Sequence, residues 1–163
     1  MARAVRSLVS PDPRDASSNE YRDLEAINVR ATIDSSPLMG VGFGREFQFV
    51  VPLPDLSFWQ FWHYEPHHNI LWVWLKTGAI GFTVFWTLIG CALALAAHHS
   101  RRLHSPELRS FAVLSIVAVI AAMVFCYVDL GLTSGRVTVF LGTVLGVLSV
   151  LPLIDMPRGI RGG

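Results

Sequence analysis

Charge is what this sequence has least of. Only 15% of its 163 residues are charged, against about 25% in an ordinary soluble domain. Hydrophobic residues make up 52%, and the mean hydropathy is +0.48. Between Gly78 and Ala97 there is no charged side chain at all. The formal charge of +1 excludes the strongly basic surface of a nucleic-acid binder. Cysteine is nearly missing: Cys91 and Cys126 both fall inside apolar runs and read as small core hydrophobes that stay unpaired. Met1 to Ser10 holds Arg3 and Arg6 but no apolar stretch, so no signal peptide is evident.

What is there, after residue 69, is apolar length. Twenty residues at about 1.5 Å each cross roughly 30 Å, the thickness of a bilayer's hydrocarbon. The pattern predicts an all-α membrane protein with three transmembrane helices, at about 70–97, 111–128 and 137–154. Trp72, Trp74 and Lys76 ahead of the first run suit an aromatic and snorkelling belt. Gly142 and Gly146 form a small-xxx-small pair, a common match. Arg101, Arg102 and Arg109 lie in the first loop and Arg158 and Arg161 in the tail, whereas the Asp129–Gly135 link has no basic residue. The positive-inside rule therefore puts that loop and the C-terminus in the cytoplasm. Residues 1–69 then form a large extracytoplasmic loop region, which suits its six arginines against nine acids. Something ahead of residue 70 must carry that polar segment across, so the sequence is expected to be the C-terminal piece of a longer polytopic protein.

The polar third opens with Pro11 and Pro13 and reads as a loop as far as Asn19. Ser17-Ser18-Asn19-Glu20 looks like a helix start, with a serine cap and a glutamate three positions on. Tyr21, Leu24, Ile27 and Ala31 recur at helical spacing, which predicts a short amphipathic helix at about 18–33. Arg22, Asp23, Glu25 and Arg30 decorate its other sides, and Asp34-Ser35-Ser36-Pro37 stops it. Gly40, Gly42 and Gly44 on alternate positions allow a tight turn or close approach to a ligand. Their spacing is not the dinucleotide fingerprint, so a plain turn is preferred to a phosphate cradle. From Arg45 to Tyr64 the chain is too aromatic for a solvated loop, and is expected along the membrane surface or against helices.

The chemistry-bearing residues cluster just before the first apolar run. His63, His67 and His68 invite a zinc site, but Pro66 breaks the helix that would bring them together. No fourth ligand completes the set, so neither a metal nor a cofactor is expected. Histidine's pKa of about 6.5 suits a general base. A structural role, hydrogen bonding backbone near the interface, competes with it evenly. Arg22, Arg30 and Arg45 share the external segment, and a guanidinium fork suits a diphosphate. Each could equally be a surface charge.

Several segments in order resemble the C-terminal part of the O-antigen ligase/polymerase family of bacterial membrane glycosyltransferases. They are Tyr21-Arg22-Asp23-Leu24, the run from Pro37 to Gly44, and His68-Asn69 followed by Gly78-Ala79-Ile80-Gly81. Asp129–Gly146 is similar to the family's penultimate loop and final helices. The resemblance implies metal-independent transfer of glycan from a polyprenyl-diphosphate carrier to an acceptor hydroxyl on glycan, lipid or protein. The setting it implies is the periplasmic face of the bacterial inner membrane, during surface polysaccharide or lipopolysaccharide synthesis. It places the proton-accepting role on His68, a diphosphate contact on Arg22, and further substrate contacts on Asn69 and Arg45. Family members have ten or more spanning helices, so these residues alone are not expected to be active. The competing expectation is a non-catalytic membrane protein whose aromatic loop packs or binds a partner.

Overall fold

A computed structural model describes residues 13–155, and Arg158 and Arg161 of the orientation argument lie outside them. Four helices are present among the described residues, with no strand: α1 (Pro13–Ser35), α2 (Asn69–Arg102), α3 (Pro106–Val128) and α4 (Gly135–Ile154). Three of them, α2, α3 and α4, are long and apolar enough to cross a membrane. The chain divides into two units between Ala79 and Ile80.

That division falls inside α2, and Gly78 is the reason. Its backbone takes φ 65° and ψ −173°, so α2 is broken into an arm 69–77 and an arm 79–102. The uninterrupted helix expected from residue 70 is therefore corrected. A helix break frees carbonyls that need new partners. Here the Pro37–Gly42 segment supplies them: Val41 N–H donates to the Leu75 carbonyl at 2.8 Å and Gly42 N–H to that of Lys76 at 3.0 Å. In return Ala79 N–H donates to the Pro37 carbonyl at 2.8 Å. Backbone meets backbone, and only glycine permits it. A Cβ on Gly78 would lie 2.1 Å from the Leu38 oxygen, and one on Gly40 2.5 Å from the Gly78 nitrogen.

The first unit is built around Val29, Ile33, Phe47 and Leu75, with Val41, Leu53, Leu71 and Trp74 packed against them. Helix α1 is longer than expected and starts at Pro13, ahead of the serine cap read from the sequence. Proline suits a first turn, where its missing N–H has no partner to lose. Two of the expected belt residues, Trp72 and Lys76, are tied to the loop. Lys76 is buried with its ammonium on the Arg45 carbonyl, and Trp72 Nε1 donates to the Tyr64 carbonyl at 3.1 Å.

The second unit contains residues 80–102 of α2, α3 and α4. Helix α3 starts at Pro106, five residues before the expected boundary, because Ser105 caps it: its Oγ accepts from Leu108 N–H at 3.3 Å. Stripes at spacings of three and four are buried: Ala112, Ser115, Val119, Met123 and Cys126 on α3, and Leu141, Val144, Leu148 and Leu151 on α4. The α3 and α4 helices pack on one another. Cys91, read as a core hydrophobe, is exposed on its helix, while Cys126 is buried; both are free. Just past α4, Asp155 accepts from the backbone N–H groups of His104 at 2.7 Å and Ser105 at 3.0 Å. These bonds hold the Asp155 carboxyl below the usual carboxylate range and tie the end of α4 to the turn before α3.

Candidate functional site

Helix α1 buries a polar stripe. Glu25, Asn28 and Thr32, together with Tyr21, lie inward beside Val29 and Ile33, whereas Ile27 is exposed. Of the apolar face read from Tyr21, Leu24, Ile27 and Ala31, Tyr21 is buried, Leu24 and Ala31 are half-buried, and Ile27 is turned outward. The buried side chains satisfy the backbone of the loop that follows. One amide does most of this: Asn28 Oδ1 accepts from Val50 and Val51 N–H, each at 2.8 Å, and its Nδ2 donates to the Val51 carbonyl at 2.9 Å. Thr32 Oγ1 accepts from Gln48 N–H at 2.8 Å and donates to the Asn28 carbonyl. A loop with Pro52, Pro54 and Pro66 cannot pair its own backbone in a sheet, so a helix side must do it.

Glu25 reaches furthest along the chain. It is 2% exposed, and its Oε2 accepts the backbone N–H of His67 at 2.8 Å. Its two oxygens also lie 3.2 and 3.3 Å from His67 Nδ1. The His67 ring meets Tyr21 and Trp59 edge-on, at centroid distances of 5.6 and 6.2 Å. His68, next in the chain, starts the arm 69–77: its Nδ1 accepts from Leu71 N–H at 3.3 Å and its carbonyl from Trp72 N–H at 3.1 Å. Burial pushes the His68 imidazole below its ordinary pKa, and the Arg30 guanidinium adds to this. A backbone hydrogen bond and the Glu25 charge oppose it. The lowered value keeps His68 neutral near pH 7, the state a proton acceptor needs.

The residues singled out from the sequence separate into two places. Asn69 is fully buried and donates from Nδ2 to the Pro66 carbonyl at 3.1 Å, so it braces the turn that carries the histidines. Arg22 is exposed on α1, and Arg30, eight residues further on, lies about 12 Å along the helix axis. The Arg30 charge acts on His68. Arg45 is exposed and lines an open cavity of about 480 Å³ with Thr32, Ser36, Gly40, Glu46 and Gln48. The glycine run beside it has its amides engaged: Gly40 N–H goes to Ser36, Val41 to Leu75 and Gly42 to Lys76. Those three N–H groups are not available to cradle a phosphate, so the backbone follows the turn reading.

Of the three histidines behind the zinc idea, His63, His67 and His68, the first two go to different carboxylates. His63 Nδ1 is 3.5 Å from Glu46 and His67 Nδ1 is 3.2 Å from Glu25. Among the described residues no three His, Cys, Asp or Glu side chains gather in a way that could hold a metal ion. Glu25 is the residue that the periodicity argument missed. The available signal was the series Tyr21, Glu25, Asn28 and Thr32, polar groups at helical spacing ahead of a proline-rich loop. No family model matches the chain, and no curated protein or solved structure matches it.

Proposed function

We propose that this chain is part of a bacterial inner-membrane glycosyltransferase of the O-antigen ligase/polymerase kind. It moves glycan from a polyprenyl-diphosphate carrier to an acceptor hydroxyl, at the outer face of the membrane. In this reading the first unit is extracytoplasmic, and the turn before α3, flanked by Arg101, Arg102 and Arg109, is cytoplasmic. His68 takes the acceptor proton, and arginines of α1 and the loop, Arg22, Arg30 and Arg45, meet the diphosphate.

One observation carries the reading. A half-buried imidazole with a lowered pKa stands where an arginine's charge acts on it, at the head of an apolar helix. Further support is that segments far apart in the family-like series interlock within the first unit. Gly40 abuts Gly78, and Tyr21 touches His67. A competing reading, a partner-binding loop, draws on the exposure of Phe58 at 86% and Phe43 at 65%.

Two measurements test the proposal. Ser18→Cys should be labelled by a membrane-impermeant thiol reagent in intact spheroplasts; labelling only after lysis would reverse the topology. The full-length protein in proteoliposomes should transfer glycan from a polyprenyl-diphosphate donor and continue to do so in EDTA. Binding without transfer would favour the partner-binding loop.

A further inference from the structure

We propose that Glu25 is a positioning residue for the histidine pair, holding the His67 backbone and imidazole from inside the first unit and so fixing the turn that presents His68. What the histidines do rests on the glycan-transfer reading; how they are held rests on geometry alone. A carboxylate as deeply buried as Glu25 is unfavourable unless every contact supports it. Its hydrogen bonds converge on one residue, the His67 backbone N–H at 2.8 Å and the His67 Nδ1 at 3.2 and 3.3 Å. A neutral imidazole that donates Nδ1–H to a carboxylate keeps its lone pair on Nε2. The Tyr21 and Trp59 ring edges limit rotation of that imidazole. The Tyr21 hydroxyl is buried beside Glu25, and burial and the Glu25 charge push it far above its ordinary pKa, so it stays a neutral phenol.

The other side of the turn is pinned as well. Pro66 is buried, and its carbonyl accepts from Asn69 Nδ2 at 3.1 Å. His68 thus sits between two fixed points, Glu25 on His67 and Asn69 on Pro66, and begins the arm 69–77 with its own Nδ1 and carbonyl. Arg30 and Glu25, both from α1, are charged groups that act on His68. Glu25 therefore has an electrostatic effect as well as a mechanical one. Its negative charge favours imidazolium, so removing it moves His68 titration to lower pH.

The test is histidine side-chain NMR on the 163-residue chain in detergent micelles. In the wild-type protein His67 should carry a proton on Nδ1; a ring protonated on Nε2 alone overturns the proposal without any variant. In Glu25→Gln the fixed tautomer should be lost and the His68 titration should move to lower pH. An unchanged tautomer or titration overturns it. In the full-length protein Glu25→Gln should lower kcat about 10²-fold, the scale of a small misplacement of a reacting group. KM for the lipid-linked donor should stay unchanged, the acidic limb of the pH–rate profile should move down, and Glu25→Asp should restore part of the rate. A lost tautomer with unchanged kcat contradicts the positioning role. If the wild-type full-length protein transfers no glycan the transfer reading fails, if His68→Ala retains transfer the proton-acceptor assignment fails, and in either case the NMR result still decides how the turn is held.

Discussion

The first unit buries Glu25, Asn28, Thr32, Asn69 and Lys76, all of them hydrogen-bonded, while the second buries mainly small and aliphatic side chains. On their outer faces the helices of the second unit show the reverse: Val84, Leu114, Val117 and Val139 are each at least 60% exposed. Water would not tolerate that surface at such density, but lipid does. The second unit is therefore positioned by its solvent and needs few specific bonds. The first unit depends on specific bonds, because a proline-rich, aromatic loop has no ladder of its own. A site that must hold charged groups in defined places belongs in the unit organised that way.

The contrast can be broken most forcefully at glycine. Gly78→Ala forces a Cβ into the Leu38 carbonyl and an L residue into positive φ. It should destabilise the first unit by about 3 kcal/mol or more. Gly90→Ala meets open space within α2 and should stabilise that helix by up to about 1 kcal/mol. Tryptophan fluorescence during denaturation separates the two, since Trp59, Trp62, Trp72 and Trp74 all belong to the first unit. Equal effects at the two glycines would remove the distinction.

A smaller effect is expected from single polar groups. Asn28→Ala leaves the Val50 and Val51 N–H groups without their acceptor and should cost about 2 kcal/mol. Ser115→Ala removes only a bond to the Phe111 carbonyl one turn back, and should cost under about 1 kcal/mol. Denaturant midpoints of the two variants check the ranking.

The pH responses should differ in window and need no energy figure. The folded His68 pKa is below its unfolded value, so the unfolded chain binds the extra proton and stability falls as pH drops below about 6.5. Arg30→Gln should weaken that loss, because it removes a charge that disfavours imidazolium. The Asp155 carboxyl is also depressed; its contribution is present above the unfolded pKa of about 3.9 and lost as pH falls through the lower folded value. Melting of the first unit should soften on the acid side of neutrality, while the α3–α4 end holds to about pH 4. Coincident loss of both would contradict the separate assignments.

How far the sequence was legible follows the same contrast. The three apolar helices could be read because lipid demands continuous hydrophobic length, and the start of α3 moved forward where Ser105 and Pro106 provide an earlier cap. The break at Gly78 could not be read, since residues 70–97 stay largely apolar across it. Its cause lies in the spatial neighbours of Gly78, Leu38 to Gly42, far back in the chain. The face of α1 was misread because hydrophobic periodicity weighs Ile27 above Asn28, while burial here selects for backbone partners. The turn at His67–Asn69 was recognised as the candidate site from its position, but Glu25 and Arg30 join it through folding alone.

The proposed glycan transfer is tested most directly in the longer protein which that proposal implies, carrying His68→Ala, beside His67→Ala. General-base loss costs about 10²–10⁴ in rate, so His68→Ala should reduce transfer on that scale with the protein still folded. His67→Ala keeps the backbone N–H on Glu25 and should lose less. Transfer that survives His68→Ala but fails in His67→Ala, or on chelation, would contradict the account.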